Sequence, residues 1–207
     1  MSPVAPVFAV ILAAGRSQRF GDAKLMAPLD GRPVLAHVLD AVLECTRRGF
    51  VRAAYVVVRR AGDREGRLGA EAGLNVIEAE GSDSTRASLR AGILRVAQTT
   101  PAGGAAILVF LGDQPGVRTE AAAELIRRWR ATGARVVRPR YADKPDEPGH
   151  PVLIDRALWP LLAESVEERD LKDILSMGEV EVVEMTGGNP DIDTPGDLRA
   201  FNARDNA

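Results

Sequence analysis

A glycine surrounded by positive charge is the first feature of the chain that could do chemistry. Gly15 ends the motif Leu12-Ala13-Ala14-Gly15, and Arg16, Arg19 and Lys24 follow closely. Gly15 lets the backbone turn sharply and approach a ligand, and backbone N–H groups in such a loop can cradle phosphate oxygens. Since the formal net charge is -2, local positive charge favours an anion pocket, with a solvated turn as the alternative.

Two well-known phosphate loops do not fit this segment. A Walker loop needs Gly-Lys followed by Ser or Thr, and Lys24 is followed by Leu25. A dinucleotide fingerprint needs Gly-x-Gly-x-x-Gly, whereas the segment offers only Gly15 and Gly21. Any phosphate contacts must therefore be of another kind.

Two aspartates follow apolar runs that are typical of buried strands. Asp113 stands in Gly112-Asp113-Gln114-Pro115, and Asp193 stands in Asp191-Ile192-Asp193-Thr194-Pro195. Mg²⁺ takes hard oxygen ligands, and one or two carboxylates with phosphate oxygens and water suffice. The pair is therefore a candidate magnesium site. Turn chemistry also explains the first motif, and a helix start with Thr194 as N-cap and Pro195 as first residue also explains the second.

The histidines and the cysteine restrict the chemistry further. Gly149-His150-Pro151 could shape a pocket for a second substrate, although a lone histidine is more often a satisfied polar group. His37 and His150 are the only histidines and Cys45 is the one cysteine, which argues against a His/Cys zinc site and excludes an internal disulfide. Cys45 falls in an apolar helical run and is expected to be a buried thiol.

Alternating strands and helices are expected to position these residues. Short apolar runs predict strands, and segments with one apolar stripe predict helices. The predicted strands are Val7–Leu12, Tyr55–Val58, Leu74–Ile77, Ala105–Leu111, Val136–Arg138, Val152–Ile154 and Val180–Val183; the predicted helices are Pro33–Thr46, Ser88–Ala97, Glu120–Trp129, Leu158–Leu162, Leu171–Leu175 and Gly196–Phe201; Tyr141–Gly149 is a predicted loop. The alternation indicates an α/β fold with a parallel sheet covered on both faces, whose ligands lie beyond the carboxyl ends of the strands.

Length and composition fit one soluble domain. The 207 residues can bury a core, and no composition shift marks a linker. With 27 basic and 29 acidic side chains, no global basic field points to nucleic acid. The apolar run Val7–Ala14 is short and has no basic residue before it, so neither a signal peptide nor a membrane span is expected. The single cysteine fits a reducing, cytoplasmic location.

Together and in this order, the motifs resemble the nucleotidyltransferase superfamily, and most closely the molybdenum cofactor cytidylyltransferase family with its MobA-like NTP transferase domain. The resemblance runs from about Val7 to Phe201. Besides the motifs above, it is carried by Arg16-Ser17, Arg19-Phe20-Gly21, Lys24-Leu25 and Ser88-Leu89-Arg90-Ala91-Gly92. It implies a single Rossmann-like three-layer domain with a mostly parallel central sheet over residues 1–207, with an NTP-binding half at about 7–115 and an acceptor-binding half at about 116–202.

The activity that the resemblance implies is transfer of CMP from CTP to the phosphate of molybdopterin, with Mg²⁺ as cofactor and pyrophosphate released. A molybdenum enzyme that receives the product is an implied partner. Leu12, Ala13, Ala14, Gly15, Lys24, Ser88 and Asp113 would bind the nucleotide; Lys24, Arg16 and Asp113 would be catalytic; Gln114, Gly149 and His150 would bind the acceptor; Asp113 and Asp193 would hold the metal.

Two positions in the first loop bear on specificity. Guanylyl-transferring relatives usually carry Leu-Ala-Gly-Gly there, so Ala14 favours cytidine. Sugar-nucleotide and isoprenoid relatives usually have a proline before the loop lysine, and Ala23 stands there instead.

Two stretches depart from the family pattern and leave the acceptor open. Ser84-Thr85-Arg86-Ala87-Ser88 lacks the frequent Gly-Met, and Glu167-Glu168-Arg169-Asp170 replaces a frequent Gly-Asp-x-Gly loop. Both would face the acceptor or the base. The alternatives are therefore the same chemistry with another NTP, or with a sugar or polyol phosphate as acceptor, and a non-catalytic nucleotide- or pterin-binding protein.

Overall fold

A central seven-stranded sheet organises the part of the chain that the computed structural model describes, namely residues 4–15, 20, 24–79, 84–100, 103–164 and 180–205. Its strands are β1 (Val7–Leu12), β4 (Ala53–Val58), β5 (Asn75–Glu78), β6 (Ala106–Leu111), β7 (Val136–Tyr141), β8 (Val152–Asp155) and β9 (Val180–Met185), in the order β5-β4-β1-β6-β8-β7-β9. A separate hairpin pairs β2 (Pro28–Leu29) with β3 (Arg32–Pro33).

Helices connect most of these strands. They are α1 (Val34–Arg47), α2 (Arg64–Glu71), α3 (Thr85–Thr99), α4 (Thr119–Thr132), α5 (Trp159–Glu164) and α6 (Pro195–Asp205), with short 3₁₀ turns at Lys24–Met26 and Arg156–Leu158. Among the described residues, no helix is long and apolar enough to cross a membrane.

Strand β1 is buried along its whole length because both of its faces are covered. It pairs in parallel with β4 on one side and with β6 on the other. Its alternate residues enter two cores: Ile11 packs with α1 and α4 side chains, and Val10 packs with α3 and α5 side chains. The expected three-layer α/β fold with a mostly parallel sheet is confirmed, and so is the burial of Cys45 in the first core.

Strand β8 is the exception to the parallel arrangement. It runs antiparallel to both of its neighbours, β6 and β7. Residues 142–151, which join β7 to β8, contain no helix. A short connection between neighbouring strands produces an antiparallel pair, because a parallel return needs a longer crossover.

The structure departs from the sequence expectations at a few elements. Helix α2 was not expected because it has no apolar stripe, and it buries Gly66 and Gly69 instead. A Cβ added to Gly69 would lie 2.5 Å from Cγ1 of Val56, so the missing side chain is what lets α2 rest on the sheet. The β2–β3 hairpin was not expected either. The predicted loop Tyr141–Gly149 starts one residue too early, since Tyr141 still belongs to β7, and the predicted helix Leu171–Leu175 lies outside the described residues.

Candidate active site

The carboxyl ends of β1, β6, β7 and β9 point the same way, because β8 is antiparallel to both of its neighbours and β7 is parallel to β9. The segments that follow these strands therefore meet at one edge of the sheet, where ligands of open α/β sheets bind. The sequence motifs around Gly15, Asp113 and Asp193 all lie at this edge.

The loop after β1 is held by its neighbours. Ala13 N donates to Val57 O at 2.8 Å, and Gly112 N donates to Leu12 O at 3.0 Å. A Cβ on Gly112 would lie 3.1 Å from Leu12 O, so the absence of a side chain lets the ends of β1 and β6 approach each other. Leu12, Ala13 and Ala14 are buried. A Cβ on Gly15 would meet no described atom within 4 Å, which leaves the backbone there open to a ligand.

Lys24 joins the two aspartates. Its Nζ atom lies 2.6 Å from Oδ2 of Asp113 and 2.7 Å from Oδ1 of Asp193. Burial pulls the pKa of Lys24 down, but the two carboxylates outweigh burial, and the pKa is raised. Lys24 is therefore a stable ammonium ion at a point on which two carboxylates converge.

The ionisation of the Asp113 carboxyl depends on the positive charge of Lys24. Burial raises the pKa of the Asp113 carboxyl, Lys24 lowers it and nearby Asp191 raises it again, so that the pKa lies above its ordinary value. Without a cation beside it, the carboxylate would be still harder to keep ionised, because a buried charge needs a partner. The site therefore calls for a cation at this position.

Asp193 is placed by the helix that follows it. Thr194 Oγ1 accepts from Asp197 N at 3.2 Å, while Asp197 Oδ2 accepts from Thr194 N at 2.7 Å. This reciprocal pair caps α6 with Thr194 as N-cap and Pro195 as first residue, as predicted. Ile192 N also donates to Asp113 O at 3.0 Å. The helix start and the placement of Asp193 at the site are thus compatible.

Gln114 lies in a buried polar network behind Asp113. Its side chain is 6% exposed, its Nε2 donates to Asp191 Oδ1 at 2.7 Å, and its Oε1 accepts from Asn189 Nδ2 at 3.0 Å. Asn189 also donates to His150 O at 3.2 Å. Both ends of the Gln114 amide are therefore engaged within the protein, and direct contact with an acceptor stays a prediction.

Gly149 and His150 lie beside this network. A Cβ on Gly149 would lie 2.8 Å from the Tyr141 ring, so packing alone accounts for this glycine. Tyr141 Oη donates to His150 O at 2.9 Å. Burial, helped by the charge of Arg138, lowers the pKa of His150 to about 4, which keeps its imidazole neutral at neutral pH.

Comparison with known proteins decides the family. Residues 9–182 match the model of the MobA-like NTP transferase domain. The chain belongs to this family. The family's activity is nucleotidyl transfer from an NTP, and the predicted nucleotidyltransferase resemblance is confirmed at that level.

Solved structures resemble this MobA-like domain over its full length. A homologue of Mycobacterium tuberculosis Rv0371c from Mycobacterium sp. strain JC1 is 27% identical, with a TM-score of 0.75 and 96% of each chain covered. The manganese complex of Rv0371c from Mycobacterium tuberculosis H37Rv is 25% identical, with a TM-score of 0.74, 97% of this chain and 100% of that chain covered.

One curated relative matches only a short segment. The bifunctional protein GlmU of Halorhodospira halophila (strain DSM 244 / SL1) is 58% identical over 41 residues, which are 19% of this chain. The match spans 9% of the length of that relative.

The donor set of the MobA-like domain fits a divalent cation. Two carboxylate oxygens lie within 2.7 Å of one atom, Lys24 Nζ, so a metal ion at that point would need only small inward shifts for Mg–O bonds of about 2.0–2.1 Å. Among the described residues, no group of three or more His, Cys, Asp or Glu side chains could enclose a metal ion. Nucleotide phosphates and water would have to complete the coordination, as is usual for Mg²⁺.

The other predicted site residues are placed as follows. Ser88 lies in α3, is 2% exposed, and its Oγ donates to Ser84 O at 3.2 Å. Arg16 lies outside the described residues.

Two residues of this region were not predicted. Asn189 was hidden in the turn-like segment Gly187-Gly188-Asn189-Pro190, and Arg138 in a strand. The one signal in the sequence was that Arg138 ends the predicted strand Val136–Arg138.

Proposed function

We propose that this protein transfers CMP from CTP to the phosphate of molybdopterin, with Mg²⁺ as its metal and pyrophosphate as the second product. The observation that carries the proposal is the convergence of Asp113 and Asp193 on Lys24 at the carboxyl edge of the sheet, in a chain of the MobA-like NTP transferase family. A pure binding protein has little use for two carboxylates that meet at one cation position.

The cytidine preference rests on the loop after β1. Ala14 is 4% exposed and packs in the same core as Leu89 of α3. The structure thus accommodates an alanine at this position without exposing it. The preference for cytidine over guanine is supported by the Leu12-Ala13-Ala14-Gly15 motif, since guanylyl-transferring relatives usually carry glycine in place of Ala14.

The reaction needs little from the protein beyond positioning and charge neutralisation. An oxygen of the acceptor phosphate attacks the α-phosphorus of the NTP, the new P–O bond forms, and the bond to the bridging oxygen of the leaving pyrophosphate breaks. A phosphate monoester is already largely ionised at neutral pH, since its second pKa is about 6. No general base is therefore required.

Different residues would bind the metal ion and the triphosphate. Asp113 and Asp193 would hold the divalent cation, which when bound neutralises phosphate charge and orients the leaving group. Lys24 would place its ammonium against the triphosphate, and the open backbone at Gly15 would approach the nucleotide. Preorganised charges of this kind act on the charge that develops in the transition state.

Pyrophosphate release tests the proposal. CTP, GTP and ATP are each assayed with and without molybdopterin and with and without Mg²⁺. Release with CTP that needs both molybdopterin and metal is the expected result. Release with another NTP, or with a sugar or polyol phosphate in place of molybdopterin, overturns the proposed specificity but keeps the transfer chemistry. Nucleotide binding without release on any acceptor overturns the transfer itself.

A further inference from the structure

Arg138 differs from the arginines near it in β7. The side chains of a strand alternate between its two faces, and Val136 packs into the core beneath α3 and α5. Arg138 and Arg140 therefore project toward that same face. Arg140 Nη1 pairs with Glu184 Oε1 at 2.9 Å. Within the described residues, Arg138 has no carboxylate partner.

The Arg138 guanidinium has an unused donor. One of its terminal nitrogens, Nη2, donates to Pro148 O at 3.1 Å, while its Nε is buried and has no acceptor among the described residues. The Nε atoms of Arg128 and Arg140 also have no acceptor there, but those guanidinium groups are paired with Glu181 and Glu184. What distinguishes Arg138 is therefore a partly buried positive charge without an anionic partner, and a buried charge needs one. A guanidinium offers five N–H donors in a planar fork that suits phosphate or carboxylate oxygens.

The His150 imidazole lies within the electrostatic influence of Arg138. The imidazole is half-buried, and the positive charge that acts on it comes from Arg138. Burial and this charge keep His150 neutral near pH 7. An anion bound between the two side chains would accept from both and would reverse the effect of Arg138 on the imidazole.

The pair lies next to the candidate active site. His150 O accepts from Asn189 Nδ2, and Asn189 Nδ2 also donates to Gln114 Oε1, so two hydrogen bonds link His150 to the residue after Asp113. Pro148 and His150 precede β8, which starts at the carboxyl edge of the sheet because it runs antiparallel to β6. The pair also falls within residues 116–202, where the acceptor is expected.

We propose that Arg138 and His150 form a binding site for a phosphate monoester. Its identification as the phosphate of the acceptor rests on the proposed function, whereas binding of the anion does not. Arg138 supplies the charge and the planar donors, and the His150 imidazole supplies a further hydrogen bond. The bound anion would be the charge partner that Arg138, unlike Arg140, lacks among the described residues.

An NMR titration of the histidines tests the site with inorganic phosphate as the probe. The chain has two histidines, so the imidazole signals of His37 and His150 are easily separated, and a His37→Gln variant assigns them. The full chain is titrated between pH 4 and pH 8, with phosphate or with chloride at the same ionic strength. We expect phosphate, but not chloride, to raise the pKa of His150 from about 4 toward its ordinary value. The signal of His37, whose Nε2 lies 3.0 Å from Leu29 O, should not respond.

Two variants isolate the role of Arg138. Arg138→Gln should weaken phosphate binding at least tenfold, whereas Arg140→Gln, on the same face but paired with Glu184, should leave it unchanged. Unchanged His37 signals in each variant confirm that it is folded. The proposal is overturned if phosphate does not change the pKa of His150 in the wild-type protein. It is also overturned if phosphate changes this pKa equally in Arg138→Gln and in the wild type.

Turnover assays separate this proposal from the proposed function. If the protein transfers nucleotides, Arg138→Gln should raise KM for the acceptor and leave KM for the NTP unchanged. An unchanged acceptor KM overturns the assignment of the anion to the acceptor. If no transfer is found but phosphate still acts on His150, the proposed function fails and the anion site stands.

Discussion

Lys24 Nζ lies 2.7 Å from Asp193 Oδ1, although 169 positions separate the two residues in the sequence. The same ammonium lies 2.6 Å from Asp113 Oδ2. Lys24 thus stands where a divalent cation would bind to both carboxylates. Because the two cations need the same oxygens, Lys24 must turn away, toward the triphosphate for example, before a metal ion can bind there.

Removing Lys24 should therefore strengthen metal binding while weakening catalysis. We expect Lys24→Met to bind Mn²⁺ about tenfold more tightly than the wild type in the absence of nucleotide, a difference of about 1.4 kcal/mol. The physical reason is the loss of a competing positive charge. Electron paramagnetic resonance of free Mn²⁺ measures the affinity, and pyrophosphate release should fall because the triphosphate loses a cationic partner.

The matched control is Lys144→Met, which changes an exposed lysine in the loop between β7 and β8. It should alter neither Mn²⁺ binding nor turnover. If Lys24→Met bound Mn²⁺ no more tightly than the wild type, competition between Lys24 and the metal would be excluded.

Asp113 should be indispensable for nucleotidyl transfer. Asp113→Asn keeps the shape of the side chain but removes its charge, and loss of one positioned charge typically costs about 10²–10³ in rate. The fold should survive, as judged by circular dichroism. Asp40→Asn, at an exposed aspartate paired with Arg32, should keep full turnover. An Asp113→Asn variant that retains more than about a tenth of wild-type turnover and still needs metal would contradict the assignment.

The sequence predicted those strands and helices that are determined by the pattern of apolar residues within the segment itself. Strand β1 was predicted with its exact bounds because six consecutive apolar residues are buried on both faces. Asp113 and Asp193 could be expected to meet, since both follow strands whose carboxyl ends share an edge. The placement of Lys24 between them could not be read in advance, because it depends on the tertiary path of residues 24–29.

Elements whose formation or direction depends on tertiary structure were not predicted. Helix α2 lacks an apolar stripe, and its contact with Val56 depends on the missing side chain of Gly69. The reversed direction of β8 follows from the absence of a helix in the connection before it, not from its own apolar residues. Arg138 was not predicted as a site residue, because its hydrogen bond is to the backbone carbonyl of Pro148 and no residue type in the sequence indicates such a contact.

Gly15 offers a way to separate ligand approach from stability. A Cβ at this position would meet no described atom within 4 Å, so Gly15→Ala should change the free energy of unfolding by less than about 0.5 kcal/mol. If the loop backbone lies against the nucleotide, the added methyl group should raise KM for the NTP about tenfold, which is about 1.4 kcal/mol. Urea unfolding and initial rates measure the two effects.

Gly62→Ala is the control for this variant, because its Cβ would also meet no described atom within 4 Å. It should leave both the stability and KM unchanged. A Gly15→Ala variant with wild-type KM would show that the nucleotide does not approach the backbone at this position.

His150 should make the protein lose stability in mild acid. Its pKa is lowered from 6.5 to about 4 in the folded state, chiefly by burial and further by Arg138. Between these values the unfolded chain binds the proton and the folded chain does not, so the free energy of unfolding falls as the pH drops from about 6.5 to about 4 and levels off below. The full loss is about 3 kcal/mol. Urea unfolding at pH 7 and at pH 4.5 should show most of it in the wild type.

His150→Gln removes the titrating group and should remove this part of the pH dependence, whereas His37→Gln should keep it. Addition of inorganic phosphate should reduce the loss in the wild type, because an anion beside Arg138 would let His150 accept its proton while folded. If the wild type and His150→Gln lost stability equally between pH 7 and pH 4.5, the imidazole would already be protonated in the folded protein. The lowering of the His150 pKa by burial and by Arg138 would then be wrong.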